Sequence, residues 1–360
     1  MTIKRLLLQN FRSYDSADFT FSPNVTYIVG PNTAGKSNII EAISMLSHGK
    51  SFRAEKDGEI VRIGSDTARV KATVEGEDDE EKTLEVFCAV PGIVSTQFTK
   101  RYFNNGLPKR RVDFAGVLPT LLFEPSDLDL VSGSPILRRE FMDEVLEQAD
   151  REYRLDLITY TKAIRQRNAL LQRTRETGVR VDRQFSYWDE IVILTGSSIT
   201  LKREAYINYL NEKKKELFLL HITYDPSVIS EERLLKYREA EMGTGVTLVG
   251  PHRDDFLLSM KREGEEALTL KSYGSRGQQR LGVLQLKLLQ LEYMRDVMNE
   301  APVLLLDDIF SELDSEHIQH ILGVVGKQQT IITTTHKEFL EAAAINNPYT
   351  IDLKEYNKEI

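Results

Sequence analysis

Short runs of alternating or wholly apolar residues dominate the first hundred positions of the chain. Ile3–Leu8, Ala17–Phe21 and the β-branched Val25–Val29 read as strands. Arg69–Glu75 and Leu84–Val90 flank an acidic turn and predict a hairpin. Asn104-Asn105-Gly106, after Tyr102-Phe103, predicts a second, because Asn-Gly supplies the positive φ angles of a type I′ turn. The period changes near Pro119–Pro135. From Ile136 to Arg238 apolar residues recur at helical spacing, and along Leu155, Ile158, Thr159 and Lys162 the stripe turns polar. Gly178 and Asp225-Pro226 break that helical block. Strand texture returns at Val246–Val249, after Gly243-Thr244-Gly245, and again in Val303–Leu306 and Thr330–Thr335. Strands, a helical block and strands again predict an α/β domain interrupted by a helical insertion.

Composition narrows the class without deciding it. Of 360 residues, 41% are hydrophobic and 28% charged, which excludes a wholly disordered chain. Cys88 is the single cysteine, so neither an intrachain disulfide nor a cysteine zinc cluster can form, and a reducing compartment fits. Leu6-Leu7-Leu8 is shorter than the ~7 apolar residues of a signal-peptide core, and nothing approaches the ~18 of a membrane span. A cytoplasmic protein with no membrane partner is the expectation. Net charge is −8, which by itself argues against nucleic acid. Its distribution argues otherwise: residues 161–183 hold seven basic residues against two acidic, whereas 300–360 hold eleven acidic against four basic. An uneven field of that kind can hold a phosphate backbone on one face.

Two motifs carry chemistry. Gly30-Pro31-Asn32-Thr33-Ala34-Gly35-Lys36-Ser37 follows the strand Val25–Val29 and precedes Asn38-Ile39-Ile40-Glu41-Ala42-Ile43, a helical opening. Strand, glycine-rich loop and helix together make a phosphate cradle: the glycines turn backbone amides inward and the helix N-terminus adds partial positive charge. Lys36 would neutralise the outer phosphates and Ser37 would ligate Mg²⁺. The partner motif is Val303-Leu304-Leu305-Leu306-Asp307-Asp308, a buried strand that ends in two carboxylates. Asp307 would hold Mg²⁺, directly or through water, and Asp308 would position or deprotonate the attacking water.

Further motifs give a resemblance. Ser275-Arg276-Gly277-Gln278-Gln279 precedes an amphipathic helix and resembles the signature loop of ABC-type ATPase heads. Ser311-Glu312-Leu313-Asp314 resembles their D-loop, and Thr333-Thr334-Thr335-His336 their switch histidine. Transporter heads bring the two nucleotide motifs closer together than Lys36 and Asp307, which lie 271 positions apart, and SMC-type proteins separate them by long coiled coils. The fuller match is to the RecF family of bacterial recombination-repair ATPases. It rests on Gly30–Asn38, Gly49-Lys50-Ser51-Phe52-Arg53, Phe123–Leu128, Arg165–Leu171, Gly250-Pro251-His252-Arg253-Asp254-Asp255, Ser275–Arg280 and Leu304–Asp314.

The resemblance implies an α/β ABC-type head, with mixed sheets around a P-loop core, interrupted by a short helical arm. On that reading the head covers 1–125 and 246–360 and the arm 126–245. The resemblance implies ATP and Mg²⁺ as cofactors, held by Gly30 to Asn38 (Pro31, Asn32, Thr33, Ala34, Gly35, Lys36 and Ser37 between them) and by Ser275, Gly277 and Gln278. Asp308, Lys36, Ser275 and His336 would act in hydrolysis, with Ser37 and Asp307 at the metal. An ATP-driven homodimer would clamp single-stranded, double-stranded or gapped DNA. It would act with RecR and RecO to load RecA, and support the SOS response, at the nucleoid. Thr33-Ala34 departs from the usual glycine and small residue. Asp308 stands where many such heads carry glutamate, so the enzyme is expected to be a weak ATPase, and no chain is left over for a nuclease domain. For DNA, Arg165, Arg167 and Arg173, and Lys109, Arg110 and Arg111 beside the Asn-Gly turn, are candidates; a solvated surface is the alternative reading of both groups.

Overall fold

The computed structural model describes residues 1–76, 80–260, 267–312, 315–323, 325–335 and 349–356, without the side chains of 312, 315–317, 322, 355 and 356. The chain folds into two units, Met1–Leu128 with Gln290–Ile360, and Asp129–Leu289. Residues 246–289, expected with the head, therefore fold with the helical unit.

Two sheets build the first unit. One has six antiparallel strands in the order β2-β1-β4-β5-β6-β7: β1 (Thr2–Phe11), β2 (Tyr14–Thr20), β4 (Thr67–Glu75), β5 (Glu81–Ala89), β6 (Thr99–Asn104) and β7 (Leu107–Lys109). The other has five parallel strands in the order β14-β3-β13-β12-β8: β3 (Val25–Val29), β8 (Thr120–Phe123), β12 (Val303–Asp307), β13 (Thr330–Thr334) and β14 (Tyr349–Asp352). Every residue of β3, β8, β12 and β13 is buried, which is why these strands read as continuous apolar runs and not as alternation. Between the sheets lies α1 (Lys36–His48), which is apolar on nearly all sides: Ile39, Ile40, Ala42, Ile43, Met45 and Leu46 are at most 1% exposed. It joins Leu6, Val70 and Leu84 of one sheet to Leu305 and Ile331 of the other in a single core. The β6–β7 turn is the predicted one: Asn105 (φ +49) and Gly106 (φ +74) are both left-handed, and the Thr83 amide donates to the Asn105 side chain at 2.7 Å. A short helix, α2 (Arg111–Phe114), follows β7.

The second unit holds α3 (Pro135–Ala149), α4 (Arg151–Thr177), α5 (Asp182–Glu212), α6 (Glu231–Lys236), α7 (Arg238–Thr244), α8 (Leu270–Tyr273) and most of α9 (Arg276–Met298). Helices α4 and α5 pack against each other and are separated by Gly178, left-handed at φ +71, as the sequence predicts. An antiparallel three-stranded sheet, β9 (Leu220–Asp225), β10 (Asp255–Met260) and β11 (Leu268–Thr269), completes the unit. Two expectations fail here. Leu220–Asp225 was assigned to the helical block but pairs with β10. Val246–Val249 is not a strand, because side chains take its backbone groups: the Thr247 amide donates to Asn168 Oδ1 (2.8 Å) and the Leu248 amide to Glu241 Oε1 (2.9 Å).

The segment Gly250–Asp255 ties the helices of this unit to its sheet. Asp255 accepts both Nε and Nη2 of Arg138 on α3 (2.5 and 3.0 Å). Asp254, fully buried, accepts Arg203 of α5 (2.9 Å), the Tyr224 hydroxyl of β9 and the Ser227 amide (2.8 Å). Gly250 sits at φ +125, where a Cβ would lie 2.2 Å from the Tyr160 hydroxyl. That hydroxyl donates to His252 Nδ1 (2.7 Å), and His252 Nε2 donates to the Thr247 carbonyl (3.1 Å). The bond accepted by Nδ1 requires the neutral ring, and burial lowers its pKa to about 4. The unfolded ring, near 6.5, takes up a proton first, so this contribution to stability is whole above pH 6.5 and is lost as pH falls towards 4. Urea unfolding should give roughly 1.4 kcal/mol less stability from this group at pH 5.5 than at pH 7.5. In His252→Gln that part of the slope should vanish; parallel pH profiles for the two proteins would refute it.

Candidate nucleotide site

The loop after β3 closes on the N-terminus of α1. Thr33 (φ +70) and Gly35 (φ +97) take left-handed backbone. At Gly35 the glycine is needed twice, since a Cβ would also stand 2.6 Å from the Tyr14 hydroxyl, which donates to the Gly35 carbonyl at 3.2 Å. No side chain caps α1, so its first amides face the loop. Lys36 folds over the loop, its Nζ donating to the carbonyls of Gly30 (2.8 Å) and Pro31 (3.0 Å). Burial lowers its pKa, and Asp308 and Asp307 oppose that shift.

The second motif meets the first at Ser37, whose hydroxyl donates to Asp307 Oδ1 at 3.0 Å across 270 positions of sequence. Thr333 of β13 donates to the same oxygen at 2.6 Å. The Asp308 amide donates to the Thr333 hydroxyl at 3.0 Å, with Asp308 left-handed at φ +50. Hydroxyl and carboxylate oxygens are the donors that Mg²⁺ prefers, and a site with two protein oxygens leaves the remaining positions to phosphate and water. Ser37 and Asp307 therefore fit the metal, whose chemistry would be to neutralise charge on the terminal phosphates.

Sequence reasoning missed the support around this cradle. Asn38 donates to the Ser13 hydroxyl (2.9 Å). Glu41, fully buried on α1, accepts Arg12 Nη2 (2.6 Å) and the Ser51 hydroxyl (2.5 Å), anchoring the segment 51–54 to the helix that begins at Lys36. The Gly49-Lys50-Ser51-Phe52-Arg53 match was the signal, but Glu41, which joins it to Arg12, lies apart from both in sequence.

Ser275 belongs to the second unit, where it caps α9. Its hydroxyl accepts the Gln278 amide (3.3 Å) and its amide donates to Gln278 Oε1 (2.9 Å), a capping box. Ser275 and Gly277 are exposed, and a Cβ at Gly277 would meet nothing. His336, like Leu313 and Asp314, lies outside the described residues.

The DNA candidates separate by burial. Arg165 and Arg173 on α4, and Lys109 and Arg110, are exposed, though Arg110 pairs with Asp113. Arg111 donates to the His48 carbonyl (3.0 Å). Arg167 is corrected outright: it is 1% exposed and held by Asp189 (2.6 Å), Glu241 (2.8 Å) and Thr247 (2.9 Å), so it has no free face for a phosphate.

The chain matches the family described as RecF/RecN/SMC N terminal domain over residues 2–358. It is 34% identical over 365 residues to the DNA replication and repair protein RecF of Moorella thermoacetica, covering 98% of this chain and 95% of that protein. Against the protein of the same name from Halalkalibacterium halodurans identity is 35% over 364 residues, covering 95% and 94%. The structure superposes on the recombination mediator protein RecF with ATP, of the RecFOR pathway, with a TM-score of 0.85 and 30% identity, over 97% of this chain and 95% of that one.

Proposed function

This chain belongs to the RecF family, and we propose that it is an ATP-dependent DNA-binding protein of recombinational repair and replication-fork maintenance. The observation that carries the reading is the junction of Lys36, Ser37, Asp307 and Thr333: two motifs remote in sequence form one oxygen-lined site under a phosphate loop. A relative of this fold is known with ATP, which supports ATP as the ligand and Mg²⁺ as its companion. The exposed, self-capped loop at Ser275 and Gly277 suits a ligand presented by a second copy, so ATP is the bond that makes the dimer. Asp308 is one methylene shorter than glutamate and holds the attacking water less well. Hydrolysis is accordingly slow, a timed release and not a motor stroke, and the protein is not a nuclease. Its partners on this reading are RecR and RecO, and through them RecA and the SOS response, at the nucleoid in the cytoplasm. Among the described residues no helix is long and apolar enough to cross a membrane.

Fluorescence anisotropy of a labelled gapped duplex, titrated with protein, tests the proposal. ATP with Mg²⁺ should tighten binding at least fivefold over no nucleotide, a coupling of about 1 kcal/mol. Arg165→Gln and Arg173→Gln should each lower the salt slope by about one unit if they touch phosphate. Equal binding with and without nucleotide overturns the coupling. Absence of binding at low salt overturns the repair reading itself.

A further inference from the structure

We infer that Thr333 is a positioning residue of the nucleotide site, setting the metal-binding carboxylate and the water-holding one with a single hydroxyl. The inference rests on the nucleotide reading above and adds to it a role for Thr333, which lies on neither the phosphate loop nor the strand that ends in Asp307 and Asp308. Thr333 is fully buried on β13, in register with Asp307 on β12. A hydroxyl has one proton to donate and lone pairs to accept with. Here the proton goes to Asp307 Oδ1 (2.6 Å), and a lone pair takes the Asp308 amide (3.0 Å). Both partners need it. Asp307 is nearly buried, and Oδ1 has two hydroxyl donors, Ser37 and Thr333, on different elements. Held by both, the carboxyl keeps one rotamer; held by Ser37 alone, it can turn.

Asp308 has the second need. The parallel ladder between β12 and β13 ends at Asp307 and Thr333, and Asp308 then turns left-handed at φ +50, a conformation that costs a non-glycine residue roughly 1 kcal/mol or more. Its amide can no longer join the ladder, and the Thr333 hydroxyl replaces the missing acceptor. The β-branched side chain suits the task because its χ1 is stiff. One side chain therefore couples the orientation of Asp307 to the backbone turn that aims Asp308.

Thr333→Val keeps the shape and removes the hydroxyl; Thr333→Ser keeps the hydroxyl and removes the methyl. Mn²⁺ bound with ADP, followed by electron paramagnetic resonance, should be held about tenfold more weakly by Thr333→Val and within threefold of normal by Thr333→Ser. Affinity for a fluorescent ADP in EDTA should be unchanged in both, and the Asp308 amide should exchange hydrogen faster in Thr333→Val. If the valine protein does not fold, Thr333→Cys, close in size with only a weak S–H donor, should move Mn²⁺ affinity in the same direction. Wild-type Mn²⁺ affinity in Thr333→Val or Thr333→Cys overturns the inference. So does an equal loss in Thr333→Ser, which would make the residue a packing element. Failure of the wild-type protein to bind nucleotide would instead remove the nucleotide reading and the inference with it.

Discussion

Lys36→Ala should weaken Mg·ATP binding by a hundredfold or more while leaving the protein folded. The Lys36 side chain is 7% exposed, and its ammonium rests on the Gly30 and Pro31 carbonyls at 2.8 and 3.0 Å. Those are neutral partners for a cation whose pKa burial lowers against the pull of Asp308 and Asp307. A triphosphate offers far better ones, and the ammonium is already at the loop when the phosphates arrive. Loss of one such preorganised charge contact costs about 3 to 4 kcal/mol, which is two to three powers of ten in affinity. Stability should change little, because removing a poorly solvated charge offsets the two hydrogen bonds lost. Calorimetric titration with ATP measures the first effect and a thermal melt the second. ATP-dependent dimerisation and any ATP-dependent tightening on DNA should disappear together, since both draw on the same binding energy. A variant that keeps its ATP affinity within a few fold would mean that Lys36 stays on the loop carbonyls and that another cation meets the phosphate.

The chain announces this site because its constraints are local. A β-branched run, two glycines and a helical opening specify strand, turn and helix within a dozen residues, and Val303–Asp307 betrays a buried parallel strand by its unbroken apolar run. What the sequence conceals depends on distant pairing. Thr333 is one of three consecutive threonines, and only the register of β13 with β12 selects it. Arg167 belongs to a basic stretch that reads as solvated, yet Asp189 and Glu241 close over it from α5 and α7. Val246–Val249 has strand composition, but Asn168 and Glu241 meet its amides before another strand can. Period and propensity report which face of an element is apolar. They are silent on which polar residue will be waiting there.

The same blindness hid the purpose of Gly250–Asp255, and there the test is one of stability. Arg203 is 2% exposed and donates to Asp254 (2.9 Å), Asp143 (2.8 Å), the Tyr153 hydroxyl (2.9 Å) and the Pro251 carbonyl (2.8 Å). Burial acts to lower its pKa, but Asp143, Tyr153 and Asp254 outweigh that and raise it well above the ordinary value. Arg203→Met should therefore leave a fully buried carboxylate at Asp254 without its counter-charge, at a cost of about 3 to 5 kcal/mol to the second unit. Differential scanning calorimetry should resolve this as a fall of roughly 10 °C in one transition. ATP binding should persist below that transition, since Lys36, Ser37 and Asp307 belong to the other unit. Asp254→Asn added to Arg203→Met should recover part of the loss by removing the stranded charge, while its one carbonyl oxygen still accepts the Ser227 amide and its NH₂ faces the Tyr224 hydroxyl, which can accept as well as donate. The recovery is the deciding measurement. If the double variant is as unstable as the single, the damage comes from lost packing around the arginine stem; if it is more stable, the arginine is there to hold a charge that Gly250–Asp255 brings into the interior.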